Sequence, residues 1–183
     1  GIGMDILFYD VECYKYDWTV TFKSLKSQKY YYFHNDNVGI RDFVNKNLKN
    51  LLCGWNSKIY DDYMLLGMIN GLSNFELKQL NDWIIKKKRL PWEFPLLNGK
   101  WRNFKSFDLR DDMYRNLSLK VIEGNLKMDI EETSVPFDID RPLTEEELKQ
   151  NIEYNKADVD ATERLFHARK NYLYSKVRLG RQV

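Results

Sequence analysis

The sequence predicts an α/β fold: a mixed sheet, an antiparallel meander plus parallel strands, flanked by helices. Three observations predict it. Three strand-like segments precede residue 35, the hydrophobic period then becomes helical with short apolar runs returning between helices, and two capping boxes open helical stretches.

Ile6, Leu7, Phe8 and Tyr9 form an apolar run bounded by Asp5 and Asp10, too short for a helix and therefore a buried strand. Trp18, Val20 and Phe22 alternate with threonines, the period of a second strand with one buried face. The polar stretch from Ser24 to Gln28 turns the chain, and the aromatic run Tyr30 to His34 makes the third strand. Ile40, Phe43, Val44 and Leu48 then fall at helical spacing, and Leu51 to Trp55 reads as a fourth strand. Two helices follow, Asp61 to Asn70 and Ser73 to Lys87, the second opened by Ser73 with Glu76 three residues on. After a looser, proline-containing stretch to Asn103, Phe104 to Leu109 is a fifth strand. Ser118 begins another helical run with Leu119, Ile122 and Leu126 on one face. The last helix opens on Thr144 and Glu147, and its pattern continues to about Tyr174.

At 183 residues the chain has the length of one domain, and 43% hydrophobic with 31% charged residues excludes disorder and a disulfide-held miniprotein. Gly1, Ile2 and Gly3 precede a methionine and fit no pattern, so a cloning remnant before a native start at Met4 is expected, leaving 4–183 as a single domain. Cys13 and Cys53 are too far apart in sequence to clasp zinc as a pair, and no apolar run approaches the roughly 18 residues of a membrane span. A reducing, cytoplasmic setting is the expectation. The formal net charge is only +2, but the charges are segregated. Lys86 to Lys105 holds seven basic residues against one acid, Arg164 to Arg181 six against none, and Asp129 to Glu147 eight acids against one base. Such segregation suits a nucleic-acid partner, although Lys86 to Arg89 also fits a solvated helix end.

Asp10 and Glu12 flank Val11 at the end of the first strand and so share a face. Two like charges about 6 Å apart at an effective dielectric near 20 repel by roughly 3 kcal/mol, so something positive should compensate. Carboxylate ligands select Mg²⁺ or Mn²⁺ over zinc. Asp138 and Asp140 show the same spacing, so the pair alone is not diagnostic. A second feature is the segment from Gly54 to Asp61, where a strand ends in glycine and Asn56 precedes an acid that opens a helix; that acid also fits a plain helix cap. A third is the late helix, where Tyr154 and Asp158 lie four residues apart on one face.

The combination resembles the DEDD superfamily of 3′→5′ exonucleases, tyrosine subclass, as found in the N-terminal proofreading domains of family B-like phage DNA polymerases. Asp10-Val11-Glu12 matches the family's first motif, Asn56 with Asp61 after an aromatic its second, and Tyr154 with Asp158 its third; Glu153 stands where a histidine subclass needs His. Phe107-Asp108-Leu109 and Leu117-Ser118-Leu119-Lys120 look like the intervening strand and helix, so the resemblance spans Met4 to about Gly180. It implies a ribonuclease H-like fold and two divalent cations, Mg²⁺ or Mn²⁺, held by Asp10, Glu12, Asp61 and Asp158. It further implies that Tyr154 orients the attacking water and that Asn56 and Trp55 contact a single-stranded DNA 3′ end. A polymerase domain, attached or associated, is the implied partner.

Two positions depart from the pattern. Cys13 stands where many members carry Thr, and Asp62 follows Asp61, giving two candidate acids in the second motif. Asp61 keeps the five-residue step from Asn56 and follows Tyr60; Asp62 is then expected to be a first-turn acid worth about 0.3 to 1 kcal/mol against the helix dipole. The same carboxylates would serve a 3′→5′ exoribonuclease, and a non-catalytic nucleic-acid-binding module would keep the fold without the chemistry.

Overall fold

Side chains alternate along a strand, and in the first strand that alternation divides the molecule into two layers. The computed structural model describes residues 3–116 and 135–180. Strand β1 (Ile6–Cys13) sends Leu7, Tyr9 and Val11 into the larger core on one face of the sheet. Phe8 joins a smaller cluster on the other face, and Asp10 and Glu12 follow it at the same phase. The strand continues three residues beyond the predicted end at Asp10, because antiparallel pairing with β2 (Trp18–Ser24) runs on through Cys13 opposite Trp18. The acids thus lie inside a paired strand.

β3 (Tyr30–His34) pairs antiparallel with β2, completing the predicted meander. β4 (Leu51–Gly54) lies parallel to β1, and β5 (Lys105–Asp108) parallel to β4, so the five-stranded order is β3-β2-β1-β4-β5. The fold is α/β with a mixed sheet flanked by helices, as the sequence predicts, and is compatible with a ribonuclease H-like arrangement. Helices α1 (Asn37–Lys46), α2 (Asp61–Ile69) and α3 (Asn74–Ile85) cover one face, where Ile40, Val44, Met64, Leu65, Leu77 and Leu80 are buried with the odd residues of β1. α4 (Leu109–Asn116) and α5 (Glu145–Gly180) contribute Leu109, Met113, Val159 and Leu165 to the other.

Both capping boxes form. Ser73 N–H donates to Glu76 at 2.9 Å and Glu76 N–H to Ser73 Oγ at 3.1 Å, and Thr144 with Glu147 repeats the pair at 2.9 and 3.1 Å. α4 is a helix the sequence does not predict: it begins where β5 ends, and Asp108 Oδ1 accepts from Asp111 N–H at 3.2 Å in place of a dedicated capping loop. The helical run from Ser118, and with it Leu117 to Lys120, lies outside the described residues. Cys13 and Cys53 are buried and free. Among the described residues no helix is long and apolar enough to cross a membrane.

Gly54 fixes how β4 hands over to the loop leading into α2. A Cβ there would lie 2.5 Å from Ser57 Cβ and 3.1 Å from a Tyr9 ring carbon, and Ser57 is fully buried. Gly54→Ala is therefore expected to cost roughly 1 to 3 kcal/mol by overpacking. Chemical denaturation checks it, and a variant as stable as wild type would show that the loop gives way freely.

Candidate metal centre

Two chain segments far apart in sequence bring three carboxylates together. Asp10 and Glu12 project from β1 toward α5, and Asp158 faces them from that helix; one ligand oxygen from each lies within 4.8 Å of the others. At an effective dielectric near 20, fully ionised neighbours at that separation would repel by roughly 3 kcal/mol or more per pair. Part of this is relieved by protons. Burial, then the charges of Asp61, Asp158 and Glu12, holds the Asp10 carboxyl well above the usual carboxylate range.

Glu12 is pushed up to about 7, chiefly by burial and then by Asp158, against the lowering effect of the Tyr14 and Asn151 hydrogen bonds. Tyr14 hydroxyl donates to its Oε2 at 2.8 Å, and the Asn151 amide donates to the same oxygen. Asn155, one turn on from Asn151, donates to Thr19 Oγ1 at 3.0 Å. Asn151, Asn155 and Asp158 make a polar stripe at i, i+4 and i+7 along α5, continued apolar by Val159. The stripe docks the helix against β1 and β2 and aims Asp158.

The two acids opening α2 part company, as neighbours about 100° apart on a helix must. Asp61 is buried beside the trio and is the strongest neighbouring charge on Asp10; its own carboxyl is raised by burial, then by Asp62, Asp108, Asp158 and Glu12. Its oxygens lie outside the three-residue group. Asp62 instead accepts from Ser106 Oγ at 2.6 and 2.8 Å, from Arg102 at 2.7 Å and from the Tyr9 hydroxyl. Asp62 is the expected first-turn acid of α2, but it is 1% exposed and its role is larger than a dipole contact: it ties α2 to β1 and β5.

The other predicted residues are placed less centrally. Tyr154 lies one turn before Asp158, half-buried, on a groove of about 460 Å³ with Glu146, Lys149, Gln150 and Glu153. Among the described residues it makes no hydrogen bond to the trio. Trp55 is half-buried against the Phe8, Cys53 and Leu109 cluster. Asn56 is exposed in a left-handed conformation at φ 58°, its N–H donating to Asp108 Oδ1 at 3.0 Å while Lys58 N–H takes Oδ2 at 3.0 Å. Asp108 thereby moulds the loop between β4 and α2. Tyr14, Asn151, Asn155, Asp62 and Asp108 are the site-shaping residues that the sequence reading missed. The i, i+4 asparagines preceding Asp158 were the one signal available for them.

An all-oxygen set of crowded carboxylates fits a hard divalent cation, whose charge would offset their repulsion. Comparison with known proteins returns no matching family model, no matching curated protein and no matching solved structure.

Asp61 and Asp62 should respond with opposite signs. In chelator, Asp61→Asn removes a crowded like charge and should hold or raise the thermal midpoint. Asp62→Asn should lower stability by about 1 to 3 kcal/mol, the worth of hydrogen bonds to a charged group. Equal effects would mean that the doublet is oriented otherwise.

Stability of the metal-free protein should also fall with rising pH. Glu12 is raised from 4.5 to about 7, so the folded state holds more protons than the unfolded chain in that window, and stability present at pH 4.5 is lost by about pH 7. Glu147, lowered to about 2 by Arg141 and Thr144, acts with the opposite sign, but only below about pH 4.5. Melting curves in chelator across this range check the slope; a midpoint rising steadily from pH 4.5 to 7 contradicts it.

Proposed function

We propose that this chain is a 3′→5′ exonuclease of the DEDD superfamily, tyrosine subclass. It hydrolyses single-stranded or frayed DNA 3′ ends to nucleoside monophosphates and proofreads for an attached or associated phage-type DNA polymerase. The convergence of Asp10, Glu12 and Asp158 within 4.8 Å, with Asp61 beside them, carries the reading. These are the four acids that the motif resemblance selects, and β1, α2 and α5 deliver them to one place.

Two divalent cations, Mg²⁺ or Mn²⁺, held by Asp10, Glu12, Asp61 and Asp158, would supply an activated water and neutralise charge on the leaving 3′ oxygen. The protein's own part is positional. Asn151 and Tyr14 fix which Glu12 oxygen is engaged by hydrogen bonding and leave the other to face the cleft. Asp10, central to the group, touches the charge of every other member. Tyr154, on the same side of α5 as Asp158, orients the attacking water by its hydroxyl. Asn56, exposed on the loop that Asp108 moulds, contacts the terminal nucleotide.

The test is digestion of 3′-labelled and 5′-labelled single-stranded oligonucleotides with Mg²⁺, with Mn²⁺ and in chelator. Mononucleotides should leave the 3′ end only when metal is present. A mismatched end should be cut faster than a paired one, because unpairing costs a few kcal/mol. Asp10→Ala should abolish the reaction while the protein stays folded. Equal digestion in chelator, release from the 5′ end, or full activity in Asp10→Ala defeats the proposal.

A further inference from the structure

The basic block between Lys86 and Lys105 plays no part in the carboxylate site, and the structure gives it a shape. Two short 3-10 turns, Pro91–Glu93 and Pro95–Leu97, fold the segment back over α2. A groove of about 460 Å³ opens between them, lined by Tyr63 and Leu66 of α2 and by Trp92, Lys100, Trp101 and Arg102. Trp101 is 85% exposed and Trp92 54%, while Tyr63 stands 6.2 Å from the Trp92 ring, centroid to centroid. Placing large rings in water is unfavourable unless they serve a partner, and aromatic rings interleaved with cations are how single strands are held.

Charge selects the same occupant. Lys100 and Lys105 are exposed and Glu93 is the segment's one acid. The groove is also joined to the carboxylate site: Arg102, on its wall, pairs with Asp62 at 2.7 Å, and Asp62 follows Asp61 in α2.

We propose that this groove is a docking track for single-stranded DNA, in which Trp101 and Trp92 stack bases and Lys100 meets a phosphate. The choice of DNA as occupant rests on the nuclease reading. The experiment is fluorescence anisotropy of a labelled oligothymidylate, titrated with protein in chelator so that no turnover occurs. Trp101→Ala should bind about tenfold more weakly, the weight of one stacked base, and keep the wild-type thermal midpoint because the ring is exposed. Lys100→Gln should reduce the slope of log affinity against log salt by about 0.7, one phosphate contact on a single strand. Wild-type affinity in Trp101→Ala, an unchanged salt slope in Lys100→Gln, or tighter binding of a duplex or of the corresponding RNA overturns the track. A protein that binds as expected yet never cleaves defeats the nuclease reading and leaves the groove standing.

Discussion

Crowded negative charge is the constraint that the rest of the structure answers. Asp10, Glu12, Asp61 and Asp158 converge, and burial followed by neighbouring negative charge raises the carboxyls of Asp10, Glu12 and Asp61. No sequence places four acids so at random cost. Left to themselves, the strand and helix carrying them would separate, so the group persists only because other contacts hold its two main supports together. On the sheet side, β1 is paired on both edges, by β2 along its whole length and by β4 over Ile6 to Phe8. On the helix side, Asn151 and Asn155 attach α5 by hydrogen bonds to Glu12 and Thr19. Lys23 adds salt bridges to Asp160 and Glu163 at 2.6 and 2.8 Å, two and five residues beyond Asp158.

Those attachments are polar, and the choice of asparagine has a physical reason. A cation facing the carboxylates from α5 would offset part of their charge. A neutral amide can hold Glu12 by one oxygen and still leave the group negative. Hydrophobic packing of Val159, Leu165 and Phe8 joins helix and sheet next to the acids. Along one face of α5 the order is thus a neutral polar pair, Asn151 and Asn155, then the charge of Asp158, then the apolar anchor of Val159 and Leu165.

Much of this was legible in the sequence, and the failures have causes. The meander, both capping boxes and the five strands follow from local period and cap chemistry, which do not depend on distant contacts. The end of β1 was misplaced because Asp and Glu are poor strand residues by propensity, whereas the register with β2 carries the strand through them to Cys13. α4 was missed because Leu109–Asn116 has no capping signal of its own; Asp108, read as the end of a strand, does that work. Pattern gives Asp62 only as a first-turn acid, because its partners Tyr9, Arg102 and Ser106 come from three other segments, and one-dimensional pattern has no access to such convergence. Tyr154 and Asn56 were chosen by motif and lie at the margin of the group, where pattern alone fixes their neighbourhood and leaves their contacts open.

The Asp61 and Asp62 doublet then takes on a meaning that neither acid has alone. A helix N-terminus can present two consecutive carboxylates only in different directions, and here those directions lead to two different structures. Asp61 enters the carboxylate group, while Asp62 holds Arg102, the inner wall of the aromatic groove. Asp62 also receives Ser106 of β5 and the hydroxyl of Tyr9, which immediately precedes Asp10. One buried acid therefore fixes the start of α2, the strand that bears Asp10 and the segment that bears Trp101. A displacement of Arg102 by a ligand in the groove would be felt first at Asp62, and through the rigid first turn of α2 at its neighbour Asp61. The link between the two surfaces runs through a single ion pair and one peptide unit.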